Sequence, residues 1–420
     1  MLHVEDHANR GAIGESRRDA VLAIARRLIA AASPNPPGDT HEVAEVAADC
    51  IRESIPTAEV TLHRTSDIVT NVVVRVRGRG PGKRVVFNGH LDTYPLGDLS
   101  AWTTDPAGEV RGSRLYGRGS ADMKGGIAAS MVALAALADH ADSWSGEAVL
   151  TLGGDEESMG PLGTKWLMDN VPYAVGDAVI IGDAGSPSVL RFGEKGFIWI
   201  EITASGRPAH GAHVHLGDNA IDRLRKALDR LEGAFGALSV KAPAAVTEAI
   251  ARSKAISEPL AGSGEAETLG RLTVNIGTIS GGISPNLVPA DAKAAADIRI
   301  PVGLSLEAVE EALASALDGP GIAYSVQRRF APSFTPPDHR LVRSCAAAAE
   351  RVLGTPVAVN MRVGGSDSRW FRMADLPTIV YGPTPHGMGG PDEYVEIDEL
   401  DQVARVHALT ALDILTAQEA

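Results

Sequence analysis

A chain of 420 residues is too long for one hydrophobic core, and a formal net charge of −14 gives no pull towards a phosphate backbone. With 44% apolar and 22% charged residues the composition is that of an ordinary globular protein, and no apolar run reads as long enough to span a membrane. Neither nucleic acid nor membrane is therefore expected as a partner.

Residues 1–16 are polar and lack the apolar centre of a secretory leader. Val21, Ile24, Leu28 and Ala31 recur at helical spacing and predict a helix over Arg17–Ala32, stopped by Ser33-Pro34-Asn35-Pro36-Pro37-Gly38. A second helix is expected over His41–Ser54, then strands near Val60–His63 and Asn71–Val76. The run Val85-Val86-Phe87-Asn88-Gly89-His90 reads as a buried strand. It presents His90 and Asp92, two residues apart and so on one side, where strand gives way to loop. Asp122-Met123-Lys124-Gly125-Gly126 then opens a helix of small residues, Ile127–Leu137, suited to lie close against a sheet. The strand Ala148–Leu152 ends in Gly153-Gly154-Asp155-Glu156-Glu157. A helix covers Gly163–Asn170, and the strand Ala178–Ile181 ends in Gly182-Asp183. Strands alternating with helices predict a doubly wound α/β domain, in which ligands bind beyond the carboxyl ends of the strands.

From Gly196 the texture changes. Phe197–Thr203, Arg271–Ile279 and Ala292–Ile300 alternate like antiparallel strands, Asn219–Leu231 reads as helix, and Leu238–Gly264 is alanine-rich and polar. Residues 196–301 are accordingly expected to form an α+β domain inserted into a catalytic domain made of 1–195 and 302–420. The two cysteines, Cys50 and Cys345, lie in helical stretches and are expected as buried reduced thiols, which with the polar start suggests a cytoplasmic protein.

His90, Asp122, Glu157, Asp183 and a late His386 are candidate metal ligands, with Asp92 and Glu156 beside them. Singly they are unremarkable in kind: Asp122 or Asp183 alone reads as a helix N-cap, and Glu156-Glu157 as a solvated pair. Together, imidazoles and carboxylates without thiols form the donor set of a two-metal hydrolase using zinc, cobalt or manganese. Asp92 is placed to orient the imidazole of His90. Adjacent residues on an extended segment point opposite ways, so one of Glu156 and Glu157 can bind metal while the other faces water as general base.

Seven motifs, in order along the chain, carry a resemblance. They are Gly89-His90-Leu91-Asp92-Thr93, Tyr116 to Gly126, Asp155-Glu156-Glu157, Gly206 to Gly211, Asn286-Leu287-Val288-Pro289, Gly365-Ser366-Asp367 and Pro391-Asp392-Glu393-Tyr394-Val395. The chain resembles the co-catalytic zinc amidohydrolases and peptidases, the family of acetylornithine deacetylase, succinyl-diaminopimelate desuccinylase, aminoacylase and bacterial glutamate carboxypeptidase. The resemblance implies a zinc-peptidase-like catalytic domain with an inserted ferredoxin-like lid and dimerisation domain, and two Zn2+ per chain (Co2+ or Mn2+ in their place). It assigns His90, Asp122 as the bridge, Glu157 and Asp183 to the metals, Glu156 as general base and Asp92 behind His90. The family's last histidine precedes the Pro-Asp-Glu-Tyr run, where this chain has Gly389; His386, three residues earlier, is the expected substitute. His210 matches a lid histidine that reaches the partner subunit's site in a homodimer. Asn286, Arg299 and the backbone at Gly365 match positions that hold the substrate, with an ion pair to Asp297 as the competing reading of Arg299. The implied reaction is hydrolysis of the amide of an N-acyl amino acid or related small carboxylate. A dipeptidase or carboxypeptidase using the same site is the alternative. A non-catalytic ligand-binding relative would have no need of the complete Glu156-Glu157 pair.

Overall fold

The computed structural model describes residues 11–417, so most of the polar opening stretch lies outside the described residues. Its larger unit is built on a nine-stranded mixed sheet. The strand Arg84–His90 runs parallel to Glu147–Gly153 on one side and to Ala178–Ile181 on the other, and Thr378–Val380 runs parallel to Ala178–Ile181. Their carboxyl ends therefore open on one edge of the sheet. Val85, Val86 and Phe87 are fully buried, as the continuous apolar run requires of a strand covered on both faces.

The helix Gly125–Ala138 is buried along nearly its whole length and packs between the helices Arg18–Ala30 and Ile397–Leu415. Ser120–Ala138 is in fact apolar and long enough to cross a membrane, contrary to the reading of the sequence, but 83% of its most apolar window is buried inside the fold. Its alanines and glycines serve close packing. A Cβ added to Gly126 would stand 1.7 Å from the carbonyl oxygen of Gly182, so the helix touches the backbone that follows the strand Ala178–Ile181.

The smaller unit is a four-stranded antiparallel sheet in the order Thr273–Gly281, Asp291–Ile300, Gly196–Ser205, Ile322–Phe330. The helices Ala220–Gly236 and Leu306–Leu317 pack on it through Leu224, Leu231, Val309 and Leu313, against Ile198, Ile200, Ile202 and Ile298. Asn219 and Ser305 cap these helices, each accepting backbone N–H bonds from the first turn. The succession is β-α-β-β-α-β, ferredoxin-like as expected. That topology is complete only at Phe330. The expected boundary at residue 301 falls inside the unit, because Ile322–Phe330 pairs with Gly196–Ser205 and shares its apolar cluster.

The stretch 238–264 behaves differently from the rest of the insertion. It folds into a helix, Ala244–Ala261, followed by a short one, Glu265–Gly270. Val246, Ala249, Ile250 and Leu269 join the core of the larger unit. Glu265 anchors them there, accepting from Arg191 (2.9 Å), Asn360 (3.1 Å) and the hydroxyl of Ser257.

Candidate active site

His90 is the last residue of its strand and is only 3% exposed. Its Nδ1 lies 2.9 Å from the backbone carbonyl of Asp92, leaving Nε2 facing Asp122 Oδ1 at 3.1 Å. The Asp92 carboxylate is 3.6 Å from Nδ1, and its hydrogen bonds go elsewhere. Its two oxygens accept the backbone N–H groups of Glu156 (3.1 Å) and Glu157 (3.0 Å) and the amide of Asn35 (2.9 Å). One buried carboxylate thus fixes the acidic pair, while the imidazole is oriented mainly by the carbonyl of the same residue.

Asp122 is held from the far end of the chain. Glu393, fully buried, accepts from the backbone N–H groups of Ala121 (3.0 Å) and Asp122 (3.4 Å) and from the guanidinium of Arg118. The Pro391–Val395 motif is in this way a clamp on the loop that carries Asp122. Asp183 follows its strand at Gly182. His90, Asp122 and Asp183 each offer one ligand atom, and the three atoms lie within 4.8 Å of one another.

Two arginines face this group. Arg362 donates to Asp183, and Arg369 donates to Glu156 Oε1 at 3.1 Å. Arg369 is 1% exposed, with its guanidinium carbon 4.9 Å from the ring centroid of Phe330 and 5.2 Å from that of Trp370. The Gly365-Ser366-Asp367 loop that delivers it is tied to Glu194 by the hydroxyls of Ser366 and Ser368, both at 2.9 Å.

The electrostatics are those of crowded acids. Burial pushes Glu156, Glu157 and Asp183 above the usual carboxylate range, and for Glu157 the charge of Asp122 adds to the effect. Burial opposes a proton on His90, but the carboxylates of Asp122 and Asp92 outweigh it and raise the imidazole well above its ordinary value. Glu157 Oε1 is buried with no hydrogen-bond partner. A divalent cation fits these residues: it would satisfy the stranded oxygen and neutralise the acids that burial and repulsion destabilise.

The remaining expected residues are not among the three converging donors. His386 pairs through its backbone with Tyr394 and stacks on that ring, centroids 4.4 Å apart and planes 3° from parallel. His210 and Asn286 are exposed on the smaller unit, where the short strand Ala209–His210 pairs with Leu287–Val288. His210 Nδ1 accepts the N–H of Ala212 at 3.1 Å. Arg299 makes the ion pair with Asp297, at 2.9 Å, and lies over the ring of Phe197, 5.1 Å from its centroid. A Cβ on Gly365 would stand 3.3 Å from the same ring, so Phe197 borders both expected substrate-holding positions. Sequence reasoning missed Arg362 and Arg369. The only sign of them was their nearness to the Gly365 motif.

The pattern of peptidase family M20/M25/M40 matches residues 86–413. The chain belongs to that family. It is 28% identical over 400 residues to a succinyl-diaminopimelate desuccinylase of Rhodospirillum centenum, spanning 92% of this chain and 95% of the relative. A Methylorubrum extorquens protein of the same name is 30% identical over 356 residues, 81% of this chain and 84% of its own. The fold is similar to that of an M20 metallo-carboxypeptidase from Sulfolobus solfataricus, with TM-score 0.76 and 19% identity over 93% of this chain and 98% of that one. Aminopeptidase PepT from Bacillus cereus gives 0.71 at 17% identity, over 95% and 99%. This M20 chain is a metal-dependent hydrolase of amide bonds, and the strand-end cluster is its candidate metal centre.

Proposed function

We propose that the chain is a deacylase, cleaving the amide of an N-acyl amino acid or related small carboxylate at the His90–Asp122–Asp183 centre. The observation that carries this is the pairing of a buried Glu156 with a buried Arg369 beside three converging metal donors. A divalent cation there, which we take to be zinc with cobalt or manganese as substitutes, supplies Lewis acidity and lowers the pKa of water. His90, Asp122, Asp183 and Glu157 would hold it. Glu156, its backbone pinned by Asp92 and its carboxylate aimed by Arg369, removes the proton from the attacking water and returns it to the leaving nitrogen. Arg299 and the backbone at Gly365, both beside Phe197, supply charge and N–H donors for a substrate carboxylate.

The smaller unit serves in this reading as lid and dimer contact. Its edge strand Thr273–Gly281 contains no charged residue, whereas the opposite edge, Ile322–Phe330, carries Arg328 and Arg329. An uncharged edge without a guard invites a twin. Val214 (67% exposed), Ile279 (62%) and Ile283 (91%) add apolar surface on the same unit as His210. Buried free thiols at Cys50 and Cys345 suit a reducing cytoplasm.

Turnover of a panel of acetyl- and succinyl-amino acids and dipeptides, with Zn2+, Co2+ or Mn2+ supplied, tests the proposal. Release of free amine from N-acyl amino acids is expected. Cleavage of dipeptides alone would turn the reading to a peptidase, and binding without turnover in every metal would overturn it.

A further inference from the structure

Resting on the deacylase reading above, we infer that Phe330, on the last strand of the smaller unit, is a positioning residue for the general base: it seats the Arg369 guanidinium that aims Glu156. Arg369 is 1% exposed, yet among the described residues only its Nη1 makes a hydrogen bond, to Glu156 Oε1 at 3.1 Å. Its Nε and Nη2 are buried and make none. Asp367 Oδ1 lies 3.4 Å from Nη2, close enough for charge attraction but not aligned for a hydrogen bond. A guanidinium carries five N–H donors in a rigid fork, and one bond leaves that fork free to pivot. Its plane is therefore set by packing. The cation lies over two rings, Phe330 with its centroid 4.9 Å from the guanidinium carbon and Trp370 at 5.2 Å. Those rings meet edge to face, 5.1 Å apart and at 90°. Attraction of a cation to a ring face is strongest where water is excluded, as it is here.

Trp370 is the chain neighbour of Arg369 and belongs to the same loop. Phe330 comes from the other unit. It ends the strand Ile322–Phe330, pairs in register with Phe197 and packs on that ring at 5.3 Å. The first and last crossings of the chain between the units are pressed together at this point: a Cβ on Gly196 would stand 2.5 Å from the Phe330 carbonyl oxygen. The ring is thus fixed by the sheet of the smaller unit and offered to a guanidinium of the larger one. The Glu156 backbone is already pinned by Asp92, so the contact of Phe330 with Arg369 governs what remains free, the direction of the carboxylate. The smaller unit in this way has a hold on the base without touching it, and the base is aimed only while that strand is in its seat. A side chain that merely filled apolar space there would be replaced equally well by leucine; here the flat face of the ring is what counts.

Phe330→Leu keeps the apolar bulk and removes the ring. On the N-acyl amino acid that the wild-type chain turns over best, it should lower kcat by roughly 10- to 100-fold with KM and metal content unchanged. Phe330→Tyr, which keeps the ring face, should retain wild-type kcat. In an Arg369→Met background Phe330→Leu should cost nothing further, because the ring has no cation left to seat; Arg369→Gln serves the same cycle should the methionine variant not fold. Proton–nitrogen NMR of the arginine side chains reads the contact without turnover. The Nε–H signal that disappears in Arg369→Lys should shift in Phe330→Leu and hold its place in Phe330→Tyr. Full kcat in Phe330→Leu, a loss that tracks metal content, or a loss that multiplies in full with that of Arg369→Met overturns the positioning role. So does an Nε–H signal that the loss of the ring leaves unmoved. A wild-type chain that hydrolyses no N-acyl amino acid overturns the deacylase reading instead, while the NMR signal still judges the contact, so the two failures are distinguishable.

Discussion

Glu156 reaches the site with its freedom already removed: its N–H is bound by Asp92 and its carboxylate by Arg369. Replacing the carboxylate by an amide keeps those contacts in outline and removes only the ability to take a proton. Glu156→Gln should therefore lower kcat by about 10²–10⁴-fold while metal content, measured by atomic emission, stays at the wild-type level. Asp183→Asn should do the opposite, lowering metal affinity first, because Asp183 is one of the three converging donors. Equal metal loss in both variants would show that the division of roles is wrong. Much of this set was legible beforehand because His90, Glu156 and Asp183 sit at or shortly after a strand end and Asp122 just before a helix, where local pattern and chemistry coincide. Arg362 and Arg369 were not, since they meet Asp183 and Glu156 across 179 and 213 residues of chain, a separation no local pattern records.

The contact between the helix Gly125–Ala138 and the end of the strand Ala178–Ile181 explains how two of the donors meet. Asp122 lies just before the helix and Asp183 just after Gly182, so the approach of Gly126 to Gly182 draws both carboxylates into one place. In an exposed helix Gly→Ala gains up to about 1 kcal/mol. Here the added methyl would meet the Gly182 carbonyl at 1.7 Å, and Gly126→Ala should instead cost stability on the overpacking scale of about 1–3 kcal/mol in thermal unfolding. It should also weaken metal binding.

The C-terminal helix Ile397–Leu415 makes a second test at this scale. His407 is fully buried, with Nε2 2.7 Å from the carbonyl of Tyr381 and Nδ1 3.2 Å from the hydroxyl of Ser130. The ring donates at Nε2 and accepts at Nδ1, a neutral imidazole, and burial pushes its pKa down to about 4. The unfolded chain takes up this proton first as pH falls below 6.5, so stability is complete above that value and drains away towards pH 4, by about 3 kcal/mol in all. His407→Gln should flatten that part of the pH dependence in urea unfolding; an unchanged slope would mean the imidazole is charged in the fold. At the level of elements the small-residue helix and the alternating strands were readable, whereas the ferredoxin-like order was only what the family resemblance implied. The last strand of the smaller unit was lost to the boundary at 301, although Ile322, Tyr324 and Val326 alternate and face Ala204, Ile202 and Ile200 across the pair.

For the whole molecule, the uncharged edge Thr273–Gly281 and the exposed His210 carry the expectation of a two-fold dimer whose sites borrow one histidine from the neighbour. Glu156→Gln and His210→Ala should each be nearly inactive alone. Random exchange between them makes half the dimers mixed, with one complete site of two, so activity should recover towards about a quarter of wild type. No recovery after proven exchange would place His210 outside the partner's site. Ile279→Asp, on the same edge, should shift the chain towards monomer in sedimentation.

The helix Ala244–Ala261 gives the molecule a mechanical character that a simple insertion would lack. The chain leaves the larger unit at Gly196, returns to its core through Val246 and Leu269, leaves again at Thr273 and comes back after Phe330. A body tethered at two adjacent strands swivels freely, whereas one also stapled through Glu265 and Arg191 turns about a line fixed by its attachments. Any rotation of the smaller unit against the larger one is thereby constrained by an attachment buried in the larger unit's core. The smaller unit consequently cannot be cut out as residues 196–330 and behave as it does in place, because the excised piece would carry a helix stripped of its seat.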